Sequence, residues 1–164
     1  MKYVFIILAF VLCCGVGYAF SLKFTKRKKF FHSLISLAEK LSLEINFSRE
    51  RLKVLLENFD ESSKKNLLGV DERFMDYLDK KCELTSDVIF KKAGCLKQEE
   101  KESVLLFLKT LGRSDVENQT KEIQTFVGRF NTIKTKCDEE QKKYGSLSVK
   151  LGIVAGLFLV IIFI

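Results

Sequence analysis

Three kinds of side chain in this sequence have the chemistry for catalysis or ligand binding: carboxylates in short runs, a single histidine and five cysteines. Glu99, Glu100 and Glu102, and again Asp138, Glu139 and Glu140, bring carboxylates close enough to work as acid–base pairs. On helices, however, such charge runs form solvated faces, and Glu139 stands four residues before Lys143, the spacing of an ordinary i,i+4 ion pair. His32 has no second imidazole with which to share a metal. Cys13 and Cys14 adjoin inside an apolar run, while Cys82, Cys95 and Cys137 are far apart and make no C-x-x-C pair. They read as reduced, mostly buried thiols rather than a disulfide framework or a zinc site. No G-x-x-x-x-G-K is present for phosphate binding. The chain is expected to be no enzyme, with no cofactor, no metal and no small-molecule substrate.

The elements that carry these residues are set by where charge is missing. Residues 3–22 contain no charge, and at about 1.5 Å per residue they match a hydrocarbon core of roughly 30 Å. A cleavable signal peptide is the rival reading, with Gly17-Tyr18-Ala19 as a cleavage site. Against it, Lys23, Lys26, Arg27, Lys28 and Lys29 follow at once, an orientation signal that holds its side in the cytoplasm. At the other end residues 151–164 are wholly apolar, and the helix reaches a full span when extended back to Tyr144, with Lys150 snorkelling to the interface. Gly152 and Gly156 form a G-x-x-x-G that lets this helix approach another closely. Without Lys2 and the basic cluster, 22 basic residues remain against 21 acidic ones. The formal charge of +7 therefore belongs to the membrane edge and not to a nucleic-acid surface.

Between the spans the period is helical. Phe30, Leu34, Leu37, Leu41 and Ile45 make one stripe, with Phe31, His32 and Ser33 off it or at its edge. Leu52, Leu55, Leu56 and Phe59 mark a second helix; the polar stretch 60–66 reads as a loop closed by Gly69 and restarted near Asp71. Phe74, Met75 and Leu78 mark a third helix. Val88, Ile89 and Phe90 mark a fourth, capped at Thr85 or Ser86 and ending near Gly94. A fifth begins near Lys97, with Glu99 and Glu100 in its first turn and Val104, Leu105, Leu108 and Leu111 on its apolar face.

At Leu111-Gly112-Arg113-Ser114-Asp115, Gly112 supplies a left-handed helix end, and Ser114 with Glu117 has capping-box spacing for the last helix, through Ile123, Phe126, Phe130, Ile133 and Cys137. Arg113, Asp115 and Gln119 are candidate partner contacts on that helix start. With no proline and no period-two run, the expected fold is all-α: an antiparallel bundle of about six helices flanked by N- and C-terminal transmembrane helices. The expected divisions are an anchor at 1–22, a basic juxtamembrane stalk at 23–29, a cytoplasmic bundle at 30–148 and a second membrane segment at 149–164.

Residues 111–115, then Gln119, Ile123, Glu139-Glu140-Gln141-Lys142 and Leu151-Gly152 with Gly156, resemble the stage III sporulation protein AB family of endospore-forming bacteria. Leu43-Glu44-Ile45 and Leu52 are similar to the family's first soluble helix end. Arg51 stands where the family often has proline, and Phe90 where it often has tryptophan. The resemblance implies a cytoplasmic module similar to the helical domain of the platform protein of type II secretion and type IV pilus systems. It further implies a noncatalytic structural and coupling subunit of the channel machinery between mother cell and forespore, in the mother-cell membrane around the forespore. Expected partners are the lipid bilayer, a stage III sporulation protein AA-type ATPase and other membrane subunits of that machinery. The alternative is a scaffold that binds anionic lipid and self-associates without ATPase coupling.

Overall fold

With no proline in the chain, nothing forces the long apolar-periodic runs to break. The computed structural model describes residues 2–43, 58–79, 84, 90, 93–111 and 116–163. Helix is the regular structure among them: α1 (Lys2–Leu43), α2 (Glu61–Leu68), α3 (Phe74–Leu78), α4 (Gln98–Thr110) and α5 (Val116–Glu140), then a π-helical turn (Gln141–Gly145) and α6 (Ser146–Phe163). Because α5, the π turn and α6 follow without a break, the described residues hold five continuous helical stretches. The expected count of six is not reached among them. Leu52, Leu55, Leu56, Thr85 and Ser86, on which two of the expected helices rested, lie outside the described residues.

The chain forms two compact units, one of Met1–Thr25 with Lys136–Ile164 and one of Lys26–Thr135. In the second unit, the expected stripe of α1 is fully buried at Phe30, Leu34, Leu37 and Leu41. Phe31 and Ser33, expected off it or at its edge, are fully buried too, as is Ala38, and Ile35 is buried, while His32 is exposed. A single stripe assumes a helix with one covered side, and here α1 is enclosed on most of its circumference. The buried Ser33 hydroxyl accepts a hydrogen bond from Asn66 Nδ2 at 3.1 Å, which satisfies it.

Aromatic rings join these elements in one line. Tyr77 meets Phe90 at 5.9 Å between centroids, Phe90 meets Phe30 at 6.0 Å, and Phe30 meets Phe31 edge-on at 5.4 Å. Phe31 then meets Phe130 at 6.1 Å, and Phe130 meets Phe107 at 5.4 Å. Each such pair contributes about 0.5–1.5 kcal/mol beyond its area burial.

Two expected loops and ends are corrected. Residues 60–66 are not a loop: α2 occupies Glu61–Leu68, because Asp60 Oδ2 accepts the Ser63 amide at 2.8 Å as an N-cap and Leu67 gives the helix a fully buried anchor. Phe90 does not lie inside a helix ending near Gly94. It is a turn residue at φ 56°, a left-handed position that costs a non-glycine residue roughly 1–2 kcal/mol. Asp71 holds it there: Oδ2 accepts the Phe90 amide at 3.1 Å and the Tyr77 hydroxyl at 3.0 Å, while Oδ1 accepts the Arg73 amide at 3.0 Å. The α4 helix falls where expected, with Val104, Leu108 and Leu111 buried; Phe107 is buried and Leu105 only partly so.

In the first unit α1 and α6 run antiparallel with backbones in contact. A Cβ on Gly17 would stand 2.6 Å from Ser148 O and 3.2 Å from Gly152 Cα, and one on Gly152 would stand 2.9 Å from Cys13 O. A Cβ on Gly156 would meet the Phe10 ring at 2.7 Å. The G-x-x-x-G thus packs onto α1, using Gly17 as its counterpart. Outward-facing residues are large and apolar, among them Val11, Val16, Leu151, Val154 and Ile161. Two helical segments, Ile7–Leu43 and Asn118–Ile162, are long and apolar enough to cross a membrane.

Candidate functional site

The five basic residues of 23–29 separate once the helix forms. At 100° per residue α1 turns Lys26 and Lys29 to solvent, leaves Lys28 half-buried and carries Arg27 inward, where it is only 5% exposed. Lys23 lies with its ammonium 5.0 Å from the centre of the Phe20 ring. Opposite Arg27 stands Glu100, also 5% exposed. Arg27 Nε donates to Glu100 Oε1 at 3.0 Å and to Oε2 at 2.9 Å, and Nη2 adds a further bond to Oε1. The same carboxylate accepts the Lys97 amide at 2.9 Å and so caps the first turn of α4. Glu100 was expected on a solvated face with Glu99 and Glu102, and the latter two are exposed. Its partner is 73 positions earlier in sequence, beyond the reach of any local pattern.

A carboxylate with its lone pairs occupied by a guanidinium and a backbone amide is a structural group and not a free base. Beside it, Cys95 is half-buried, and burial pushes its thiol up from the ordinary value of 9.0. That makes it a weaker nucleophile than a solvated thiol. Cys13, Cys14, Cys95 and Cys137 are not disulfide-bonded, and no group of three or more His, Cys, Asp or Glu side chains that could hold a metal occurs among the described residues.

Of the candidate partner contacts, Arg113 and Asp115 lie outside the described residues, as do Gly112 and Ser114. Gln119 is placed inside the second unit at 3% exposure, with Nε2 lacking a hydrogen-bond partner among the described residues. It presents no surface to a partner in this conformation. Ile123, Phe126, Phe130 and Cys137 are buried as expected, and Ile133 partly so.

The i,i+4 pair expected between Glu139 and Lys143 does not form, because the π turn begins between them and changes the register. Lys143 instead lies with its ammonium 5.4 Å from the centre of the Tyr144 ring, and Tyr144 stacks on Phe24 at 6.2 Å. Aromatic residues backed by lysines thus mark one end of the apolar helix pair, the arrangement found at membrane–water interfaces. Sequence spacing supplied Tyr144 and Lys150 for this rim but not the π turn, which has no local residue signature here.

Neither a search of curated proteins nor one of solved structures returned a match. The family model for stage III sporulation protein AB matches residues 2–164, essentially the whole chain, and the protein belongs to that family.

Proposed function

We propose that this chain is a noncatalytic, membrane-anchored structural and coupling subunit of the channel machinery between mother cell and forespore, with its helical unit docking a cytoplasmic ATPase. The observation that carries the reading is the pairing of two features in a chain of this sporulation family. One unit is a glycine-packed pair of apolar helices, and the other, Lys26–Thr135, has its own aromatic core and a buried ion pair. The first suits an anchor with both spans in the mother-cell membrane around the forespore. The second suits a rigid module offered to a soluble partner. Exposed Lys23, Lys26 and Lys29, with basic Lys142 and Lys143 near the other span, agree with the module lying in the cytoplasm.

The test is co-capture of the companion stage III AA-type ATPase by the full-length chain in membranes, together with deletion of the gene. Specific capture and a sporulation block after engulfment, with normal growth, are expected. Absence of ATPase association in membranes that retain the protein refutes the coupling reading. A second reading, a scaffold that binds anionic lipid without an ATPase, is favoured by the same exposed lysines. It predicts capture of the chain by itself but not by the ATPase.

A further inference from the structure

The first unit carries an open recess at the aromatic end of its helix pair, with Val149 and Gly145 at its apolar part and two lysines at its edge. Ser21 of α1 forms one wall; Gln141, Lys142, Gly145, Ser146 and Lys150 form the other. The π turn shapes it: Gly145 is buried, and a Cβ there would stand 3.4 Å from Ser21 Oγ, so the two helices meet closely behind the recess. A π turn also shifts the register of everything after it. Lys142 within the turn and Ser146 and Lys150 after it share the wall. Gln141 Nε2 donates to Thr25 Oγ1 at 3.2 Å, and Thr25 Oγ1 donates to Ser21 O at 3.4 Å, which braces the rim from within the unit.

No carboxylate lines the recess, and neither Lys142 nor Lys150 has an ion-pair partner among the described residues. Both lysines are exposed. Position sharpens the point. Lys150 lies six residues beyond Tyr144, on the order of 9 Å further along the helix axis, where the rest of the segment is apolar. The Lys150 stem lets the ammonium snorkel back to the interface, the level at which anionic headgroups lie. Lys142, Lys150, Ser21 and Ser146 line one recess, and their ammonium and hydroxyl groups are the donor types suited to a tetrahedral anion with several acceptor oxygens.

We infer that this recess binds the phosphate of an anionic phospholipid headgroup. The inference rests on the reading of the two apolar helices as membrane-embedded and is independent of ATPase docking. It differs from attraction of lipid by the basic stretch 23–29, because the site is defined by the π turn and by residues of both helices.

The experiment uses full-length protein in mild detergent, titrated with phosphatidylglycerol and read by native mass spectrometry. At about fivefold per lysine, the Lys142→Gln/Lys150→Gln variant should bind roughly thirtyfold more weakly. Lys26→Gln/Lys29→Gln, which alters exposed lysines outside the recess, should stay within about twofold. Equal losses in the two variants overturn the site in favour of diffuse charge. Phosphatidylcholine should bind at least tenfold more weakly than phosphatidylglycerol; equal binding overturns it also. Displacement of the lipid by millimolar inorganic phosphate identifies a soluble ligand and overturns the lipid assignment.

Should the double variant fail to insert, Ser146→Asp places a carboxylate in the recess at an exposed position, and unchanged affinity there is equally fatal. Carbonate extraction of membranes separates the two levels: wild-type protein released by carbonate refutes the membrane reading itself. Retained protein with negative lipid results refutes only the recess.

Discussion

Glu100→Gln should be among the most damaging single substitutions in the helical unit, although it changes one atom. The amide keeps the size of the side chain and one acceptor oxygen, so packing is preserved. It takes from the Arg27 guanidinium, 5% exposed, the carboxylate charge that faces it inside the unit. Removing one partner of a buried ion pair costs about 3–5 kcal/mol, since the surviving charge stays desolvated. Cap weakening at Lys97 adds about 1 kcal/mol if the amide presents nitrogen to the backbone. Together these amount to a fall in Tm on the order of 15–25 °C for a unit of this size.

The assay is thermal unfolding of full-length protein in micelles, followed by near-ultraviolet circular dichroism of the tyrosines and phenylalanines. A companion variant separates charge from packing: Arg27→Met/Glu100→Met removes both ions and should recover at least half the loss, because apolar replacement of a buried pair is often neutral. If Glu100→Gln melts within a degree or two of the wild type, the pair does not hold α4 to α1 as argued. If the double variant is worse than either single change, the pair contributes net stability that desolvation reasoning denies it.

Other perturbations test other joints. Asp60 is held below its ordinary 3.8, chiefly by the Ser63 amide, and a carboxylate with a lowered folded pKa stabilises above the unfolded value. Protection of α2 amides in hydrogen exchange should therefore be constant at neutral pH and fall as pH drops below 3.8 towards the folded value, and Asp60→Asn should flatten that dependence. Gly17→Ala should loosen the apolar helix pair, whereas Gly15→Ala, which meets nothing within 4 Å, should not; cross-helix spin-label distances distinguish them. Asp71→Ala strips the Phe90 amide, the Tyr77 hydroxyl and the Arg73 amide of an acceptor at once and should cost about 3–6 kcal/mol at roughly 1–2 kcal/mol per bond, measured by denaturant unfolding. Cys95 should alkylate with iodoacetamide at pH 8 more slowly than the same thiol in the unfolded chain, and equal rates would show that burial does not raise it.

How far the sequence reached depended on whether a signal was local. The covered stripe of α1, the position of α4, the five-residue α3 and the glycines at 152 and 156 follow from spacing within one helix, and each is found where the period puts it. Phe31 escaped because periodicity reports one covered side, and α1 is covered on most sides. The Asp60 cap and the Leu67 anchor were hidden in a stretch polar enough to read as a loop. Phe90 and Asp71 escaped because a left-handed aromatic residue is set by a bond spanning 19 positions, which outweighs propensity. The glycine motif was legible, whereas its counterpart Gly17 was one of several glycines until the backbone contact picked it out.

The basic stretch after the first apolar segment shows why spacing alone misassigns charge. Counted in one dimension, Lys23, Lys26, Arg27, Lys28 and Lys29 are equivalent contributors to orientation, and neutralising the last four together is the obvious test of it. In the folded unit they are not equivalent, since Arg27 holds Glu100 while Lys26 and Lys29 are exposed. A quadruple glutamine variant would break the ion pair, and loss of protein through misfolding would be scored as loss of orientation. The informative variant keeps Arg27 and neutralises Lys23, Lys26, Lys28 and Lys29. Topology mapping with reporter fusions should then show mixed orientation with the ion pair intact, whereas Arg27→Gln alone should leave orientation normal and lower the melting temperature. Were Arg27→Gln to invert the chain without destabilising it, its place inside the helical unit would carry no weight and the one-dimensional count would be the better account.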